Sequence, residues 1–95
     1  MLSRNEIKYI QSLCHKKQRQ AEGLFIAEGT KLADELLQSS YLIKKIYAVT
    51  DWINRHTLSV EVVTITDIEL QKISLLQNPN QVLIIAEQKK TETGP

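Results

Sequence analysis

Arg19-Gln20-Ala21-Glu22-Gly23-Leu24-Phe25-Ile26-Ala27-Glu28-Gly29-Thr30-Lys31-Leu32-Ala33-Asp34-Glu35-Leu36-Leu37 is the stretch on which the fold is decided. Leu24 to Ala27 is a short apolar run set between Gly23 and Gly29, the pattern of a buried strand. From Thr30 to Ser40, Leu32, Ala33, Leu36 and Leu37 recur at helical spacing, with Lys31, Asp34, Glu35 and Gln38 opposite. A buried strand feeding an amphipathic helix is the unit of a layered α/β fold.

The same alternation continues outward in both directions. Upstream, Ser3-Arg4-Asn5-Glu6 reads as a capping box, and Ile7, Ile10, Leu13 and Cys14 follow on one helical face. Downstream, Ile43 to Val49 and Glu61 to Ile65 read as strands, the second rich in β-branched residues. A short helix over Thr50 to His56, begun by Thr50 or Asp51, lies between them. Thr66-Asp67-Ile68-Glu69 is a second capping box, opening a helix through about Ile73. Asn78-Pro79-Asn80 marks a loop, because the residue before a proline avoids the α region. Gln81 to Ala86 is the last strand, and its apolar residues on both faces predict a central place in the sheet. The order αβαβαβαβ defines an α/β fold, a three-layer α/β/α sandwich around one mixed or parallel sheet of about four strands. Residues 1–88 form the expected domain and the polar residues 89–95 a linker.

Composition narrows the classes. Ninety-five residues hold one domain, and 29 of them are Leu, Ile, Val or Phe, too many for a disordered chain. The longest unbroken apolar run is Val82 to Ala86, far below the roughly 20 residues that span a membrane, so no membrane partner is expected. Arg4, Glu6 and Lys8 interrupt the amino terminus and argue against a signal peptide. The single cysteine excludes a disulfide framework and suits a reducing cytoplasm. Formal net charge is only +1, but it is unevenly spread. Residues 1–20 carry Arg4, Lys8, Lys16, Lys17 and Arg19 against Glu6 alone, a net of +4. The other 75 residues carry 7 bases and 10 acids, a net of −3. A basic arm on a mildly acidic body suits contact with a phosphate backbone, although solvating charge on an exposed helix gives the same pattern.

Reaction centres are not legible. The three glycines are too scattered for a dinucleotide or phosphate loop, and neither His15 nor His56 has a metal-ligand neighbour at the usual spacing. Cys14 and His15 are adjacent, so on a helix they point about 100° apart and make a poor nucleophile–base pair. Cys14 reads instead as a buried thiol. Glu28 ends a strand just before Gly29, where loops of α/β folds meet ligands, yet a carboxylate at a helix N-terminus also serves the helix itself.

Lys16-Lys17-Gln18-Arg19, then Gly23 to Gly29, then Lys31 to Leu37 together resemble the substrate-binding domain of SpoU/TrmH-type RNA 2′-O-ribose methyltransferases. That family's pattern is a basic helical segment, a Gly-x-Phe-x-x-Glu-Gly strand, and a helix with an acidic residue before paired apolar residues. Ser3-Arg4-Asn5 and Asn78-Pro79-Asn80-Gln81-Val82-Leu83 resemble the family's ends, so the likeness covers about residues 3–87. It implies a fold like that of small ribosomal proteins that bind kinked RNA, with a mixed sheet between helices. It also implies docking of structured RNA, usually ribosomal, beside a separate knotted domain that binds S-adenosylmethionine, normally as a dimer. The family's cofactor-binding motifs are absent from these residues, so no cofactor is expected here and S-adenosylmethionine is expected in that other domain. One departure stands out. The family commonly has Gly after Pro-Gln before the last strand, whereas here Asn80-Gln81 follow Pro79, with Asn80 expected to take the left-handed backbone.

Arg4, Lys16, Lys17, Arg19 and Lys31 are therefore the expected phosphate contacts, since cations supply affinity by counterion release. The loops at Glu28-Gly29 and Asn80-Gln81 are expected to recognise shape or unpaired bases. Aromatic residues are few, with Phe25 expected in the core, so extensive base stacking is not expected. Two other classes remain open at this point: a free-standing kink-turn or ribosomal-type RNA-binding module, and a protein-interaction domain that never touches RNA.

Overall fold

The computed structural model describes residues 2–58 and 60–90, with side chains through Gln88. The elements run α1 (Arg4–Ser12), α2 (Lys16–Glu22), β1 (Leu24–Glu28), α3 (Thr30–Leu37), β2 (Tyr41–Ala48), α4 (Thr50–Asn54), β3 (Val62–Thr64), α5 (Asp67–Ile73) and β4 (Val82–Lys90). The four strands form one mixed sheet in the order β1-β4-β2-β3. Last in sequence, β4 runs antiparallel to both β1 and β2, while β2 and β3 pair in parallel. The central place expected of β4 is therefore correct, and its apolar run explains why. Leu83 and Ile85 pack against Ile10 and Leu13 of α1 and Leu70 and Ile73 of α5. Val82, Ile84 and Ala86 pack against Ala33 and Leu36 of α3 and Trp52 of α4. A strand alternates its side chains between two faces, so β4 supplies both cores and demands helices on both. The expected three-layer sandwich is the observed one.

Several local readings change. The basic segment after α1 is a helix of its own, α2, separated from α1 by a turn at Leu13 to His15. Gly23, left-handed at φ 68°, ends α2 and turns the chain into β1. β4 runs on to Lys90, pairing there with Tyr41, which takes it past Ala86 and into the stretch expected as linker. Residues 91–95 of that stretch lie outside the described residues. α3 stops at Leu37, and Leu32, expected in its apolar stripe, is exposed. α4 ends at Asn54, with Val49 rather than Thr50 or Asp51 at its cap. Cys14 is only half-buried, and burial pushes its thiol pKa up.

The two capping boxes differ. Thr66 and Glu69 complete theirs reciprocally, at 3.1 and 3.0 Å, and Glu69 also accepts from the Leu2 N–H at 2.7 Å. Ser3 accepts from the Glu6 N–H at 3.0 Å, but the Glu6 carboxylate turns inward. Its Oε2 takes the Tyr47 hydroxyl at 2.9 Å and the Lys45 ammonium at 3.1 Å. Tyr47 is 1% exposed, and a buried hydroxyl without a partner costs about 1–3 kcal/mol, so this demand outweighs closing an exposed cap.

His56 ties the two helices of the other face together. Its Nε2 meets Asp34 Oδ1 of α3 at 2.9 Å, and its Nδ1 meets the Trp52 carbonyl of α4 at 2.8 Å. Both partners are acceptors, so only the imidazolium, with two N–H donors, satisfies both. The Asp34 bond first, then the Trp52 carbonyl, raise the His56 pKa. A raised folded-state pKa stabilises the fold at low pH, in full below the unfolded value of about 6.5, and the contribution fades as pH rises through the folded value. Asp34→Asn is accordingly expected to lower the urea midpoint at pH 5.5 and to have little effect at pH 9; an equal loss at both would show that the proton on His56 is irrelevant to the tie.

Candidate nucleic-acid interface

The carboxyl ends of β1, β2 and β3 and the start of β4 lie at one end of the sheet. The Gly29 N–H donates to the Val82 carbonyl at 3.0 Å and the Val49 N–H to the Gln81 carbonyl at 3.0 Å, which fixes the loops at this end to one another. In α/β sheets such an end, formed by strand carboxyl termini, is where ligands meet the fold. Glu28, Gly29, Lys31 and Asn80 surround one shallow depression here. Gln81 lines two more, both with Asp51 and one of them also with Arg55, neither of which the sequence marks as a site residue. Arg55 donates to the Gln81 side chain and, through Nε, to the Asp51 carbonyl at 3.2 Å. A lone arginine at the end of a five-residue helix carries no spacing signal that would have singled it out.

Backbone conformation concentrates at this end. Gly29 has φ 94° and ψ 154°, which side-chain-bearing residues rarely adopt. The left-handed residue of the second loop is Gln81, at φ 66°, and not Asn80 as expected. The cause is a tight reversal: the Val82 N–H donates back to the Asn80 carbonyl at 2.8 Å, so residue 81 must carry the turn. Gln81, two residues after Pro79, is thus the residue on which the turn is made.

Glu28 has a definite role. Its carboxylate accepts from the Ser74 hydroxyl and, at 2.7 Å, from the Leu75 N–H. It anchors the segment after α5 that leads to Asn80 and Gln81, acting as a positioning residue. Arg19 is also partly committed. Its Nη1 donates to the Leu13 and Cys14 carbonyls, both at 2.9 Å, and closes the turn between α1 and α2. Lys16 and Lys17 are exposed in the first turn of α2. Burial first, and then the negative charge of Glu28, raise the Cys14 pKa. Arg4 is separate: it begins α1, at the far end of a nine-residue helix about 13 Å long. Among the described residues no group of His, Cys, Asp and Glu could hold a metal ion, and no helix is long and apolar enough to cross a membrane.

A mixed β1-β4-β2-β3 sheet between helices, open at its loop end, is the architecture of the substrate-binding domain of SpoU/TrmH-type RNA methyltransferases. The chain belongs to that class through the family described as "MRM3-like substrate binding domain", whose model matches residues 4–84. Among solved structures it is similar to a putative TrmH-family RNA methyltransferase from Porphyromonas gingivalis, at 27% identity and TM-score 0.80, over 93% of this chain and 36% of that one. It is also similar to an AdoMet-bound rRNA methyltransferase from Sinorhizobium meliloti, at 26% identity and TM-score 0.75, over 96% of this chain and 36% of that one. An RNA 2′-O ribose methyltransferase shares the fold at 16% identity and TM-score 0.78, over 98% of this chain and 38% of that one. No curated protein is similar enough in sequence to stand as a relative. The chain spans little more than a third of the length of the solved structures it matches.

Removing the Glu28 anchor has a measurable cost. Hydrogen bonds to a charged group contribute about 1.5–3 kcal/mol when shielded from water. Because Glu28 is half-buried, Glu28→Ala is expected to destabilise the fold by about 1–2 kcal/mol in urea unfolding and to speed amide exchange at Leu75 and Leu76. Unchanged exchange there would separate Glu28 from the loop.

Proposed function

We propose that this chain docks structured ribosomal RNA for an S-adenosylmethionine-dependent RNA 2′-O-ribose methyltransferase of the cytoplasm. The catalytic domain, which binds the cofactor and forms the homodimer, is a separate unit of the parent protein. The observation that carries this reading is the substrate-binding family model, which accounts for residues 4–84. The AdoMet named in the Sinorhizobium meliloti structure supports the cofactor, and the rRNA named there supports the substrate.

Lys16 and Lys17 at the α1–α2 corner and Lys31 in the first turn of α3 supply sequence-independent attraction to phosphates. Arg4 adds a separate contact, and Arg19 contributes while holding the corner in shape. Gly29, Asn80 and Gln81 present backbone and short polar groups to the RNA surface, which suits recognition of loops and bulges by shape. Glu28 acts through the loop it anchors. Replacing Lys16, Lys17 and Lys31 together with alanine is expected to weaken binding to ribosomal RNA fragments in fluorescence anisotropy. It should also reduce the salt slope by roughly 2–3, about one per lost phosphate contact. An unaltered slope removes the corner from the interface. The reading frame after Pro95 is the second check: it should encode a cofactor-binding α/β domain, and a stop codon would favour a free-standing RNA-binding module.

A further inference from the structure

On the face covered by α1, one cleft remains open. It is lined by Tyr47 of β2 and Ile85 of β4, both buried, by Glu6 and Tyr9 of α1, and by Asn5, Lys44 and Lys45. It encloses about 440 Å³, within the roughly 300–1,000 Å³ typical of small-molecule sites. Ile85 lies three residues along β4 from Val82, so the cleft is about 10 Å from the loop end. None of the family-derived contacts falls in it.

Its chemistry is that of a base-binding site. Tyr9 is 36% exposed, yet its hydroxyl donates to Glu22 of α2 at 2.9 Å, so the ring is held in one orientation while part of it faces water. A fixed, exposed aromatic ring stacks a planar ligand at little ordering cost. Beside it, the Tyr47 and Lys45 bonds both fall on Glu6 Oε2. Burial raises the Glu6 pKa, but those two bonds outweigh it and hold the group below its ordinary value, so it is an ionised acceptor at neutral pH. A carboxylate has about four acceptor positions, enough to take N–H donors from a ligand as well. Lys44 and Lys45 line the cleft with Glu6, but Lys45 is paired with both Glu6 and Glu61, so its ammonium is committed to carboxylates rather than offered to a phosphate.

We infer that the cleft takes an unpaired guanine of the RNA, stacked on Tyr9 with its N–H edge on the Glu6 carboxylate. Among the four bases only guanine presents two adjacent N–H donors, N1–H and the 2-amino group, to such an acceptor. The inference rests on the RNA-docking reading above and adds to it a second contact and a base preference. No covalent step is involved.

The test is a titration of the 95-residue protein with the four nucleoside monophosphates and with inorganic phosphate, followed by amide NMR shifts. GMP is expected to shift Asn5, Glu6, Tyr9 and Ile85 at lower concentration than the other three, and phosphate alone to leave them in place. Tyr9→Ala should weaken GMP binding about tenfold, the scale of one stacked base, whereas Tyr9→Phe, which keeps the ring and loses only its tie to Glu22, should cost less than that. Equal response to all four nucleotides, shifts with phosphate alone, or wild-type binding by Tyr9→Ala would each overturn the assignment. The two readings separate because Lys16, Lys17 and Lys31 do not line the cleft. Salt-dependent RNA binding that those lysines control, without any GMP shift, overturns the cleft alone. GMP shifts in a protein that binds no ribosomal RNA fragment overturn the docking reading and, with it, RNA as the source of the base.

Discussion

Strand β4 is hydrogen-bonded along both edges and buried on both faces from Val82 to Ala86, and the rest of the molecule is arranged to keep it so. A strand with that environment cannot tolerate a polar side chain in its middle, and full burial of each large apolar side chain contributes about 1.5–3 kcal/mol. Both layers of helices follow from this requirement. The helices themselves are short, the longest α1 at nine residues, and helices of that length are not stable alone in water. They persist because the sheet gives their apolar faces somewhere to pack. Since β4 is the last of the four strands, β1 and β2, its neighbours in space, have no strand between them until residues 82–90 are in place.

Polar groups then decide where the loops go. Glu6, Glu28 and His56 each join elements far apart in sequence: α1 to β2, β1 to the segment after α5, and α3 to α4. The Tyr47–Glu6 bond is the one of the three that is partly buried, where a hydrogen bond meets less competition from water than on the open surface. The loops at the end of the sheet are thus held by the scaffold at their roots, while Asn80 and, in the first turn of α3, Lys31 remain exposed.

Readability of the sequence follows the range of the forces involved. The apolar run of β4, the Thr66–Glu69 capping box and the amphipathic pattern of α3 depend on neighbours within a few residues, and each is visible in the chain. The break between α1 and α2 has no glycine or proline to mark it. It depends on Arg19 reaching back to the carbonyls of Leu13 and Cys14, a bond whose acceptors are main-chain atoms present in any sequence. The half-formed box at Ser3 fails for a similar reason, because its glutamate is claimed by Tyr47, 41 residues away. Charge was legible as a sum but not as a surface: Arg4 and the Lys16–Lys17 corner share an arm in sequence and lie at opposite ends of α1 in space.

Gln81 brings these threads together. A side chain held at φ 66° costs about 1–2 kcal/mol relative to an unstrained residue, and glycine would remove most of that cost. What glycine would also remove is the bond between the Gln81 amide and Arg55. That bond joins the loop before β4 to the end of α4, bringing a cation beside the depressions at the loop end. Glutamine at this turn therefore combines a strained backbone with a side chain that orders Arg55, at the place where the central strand begins.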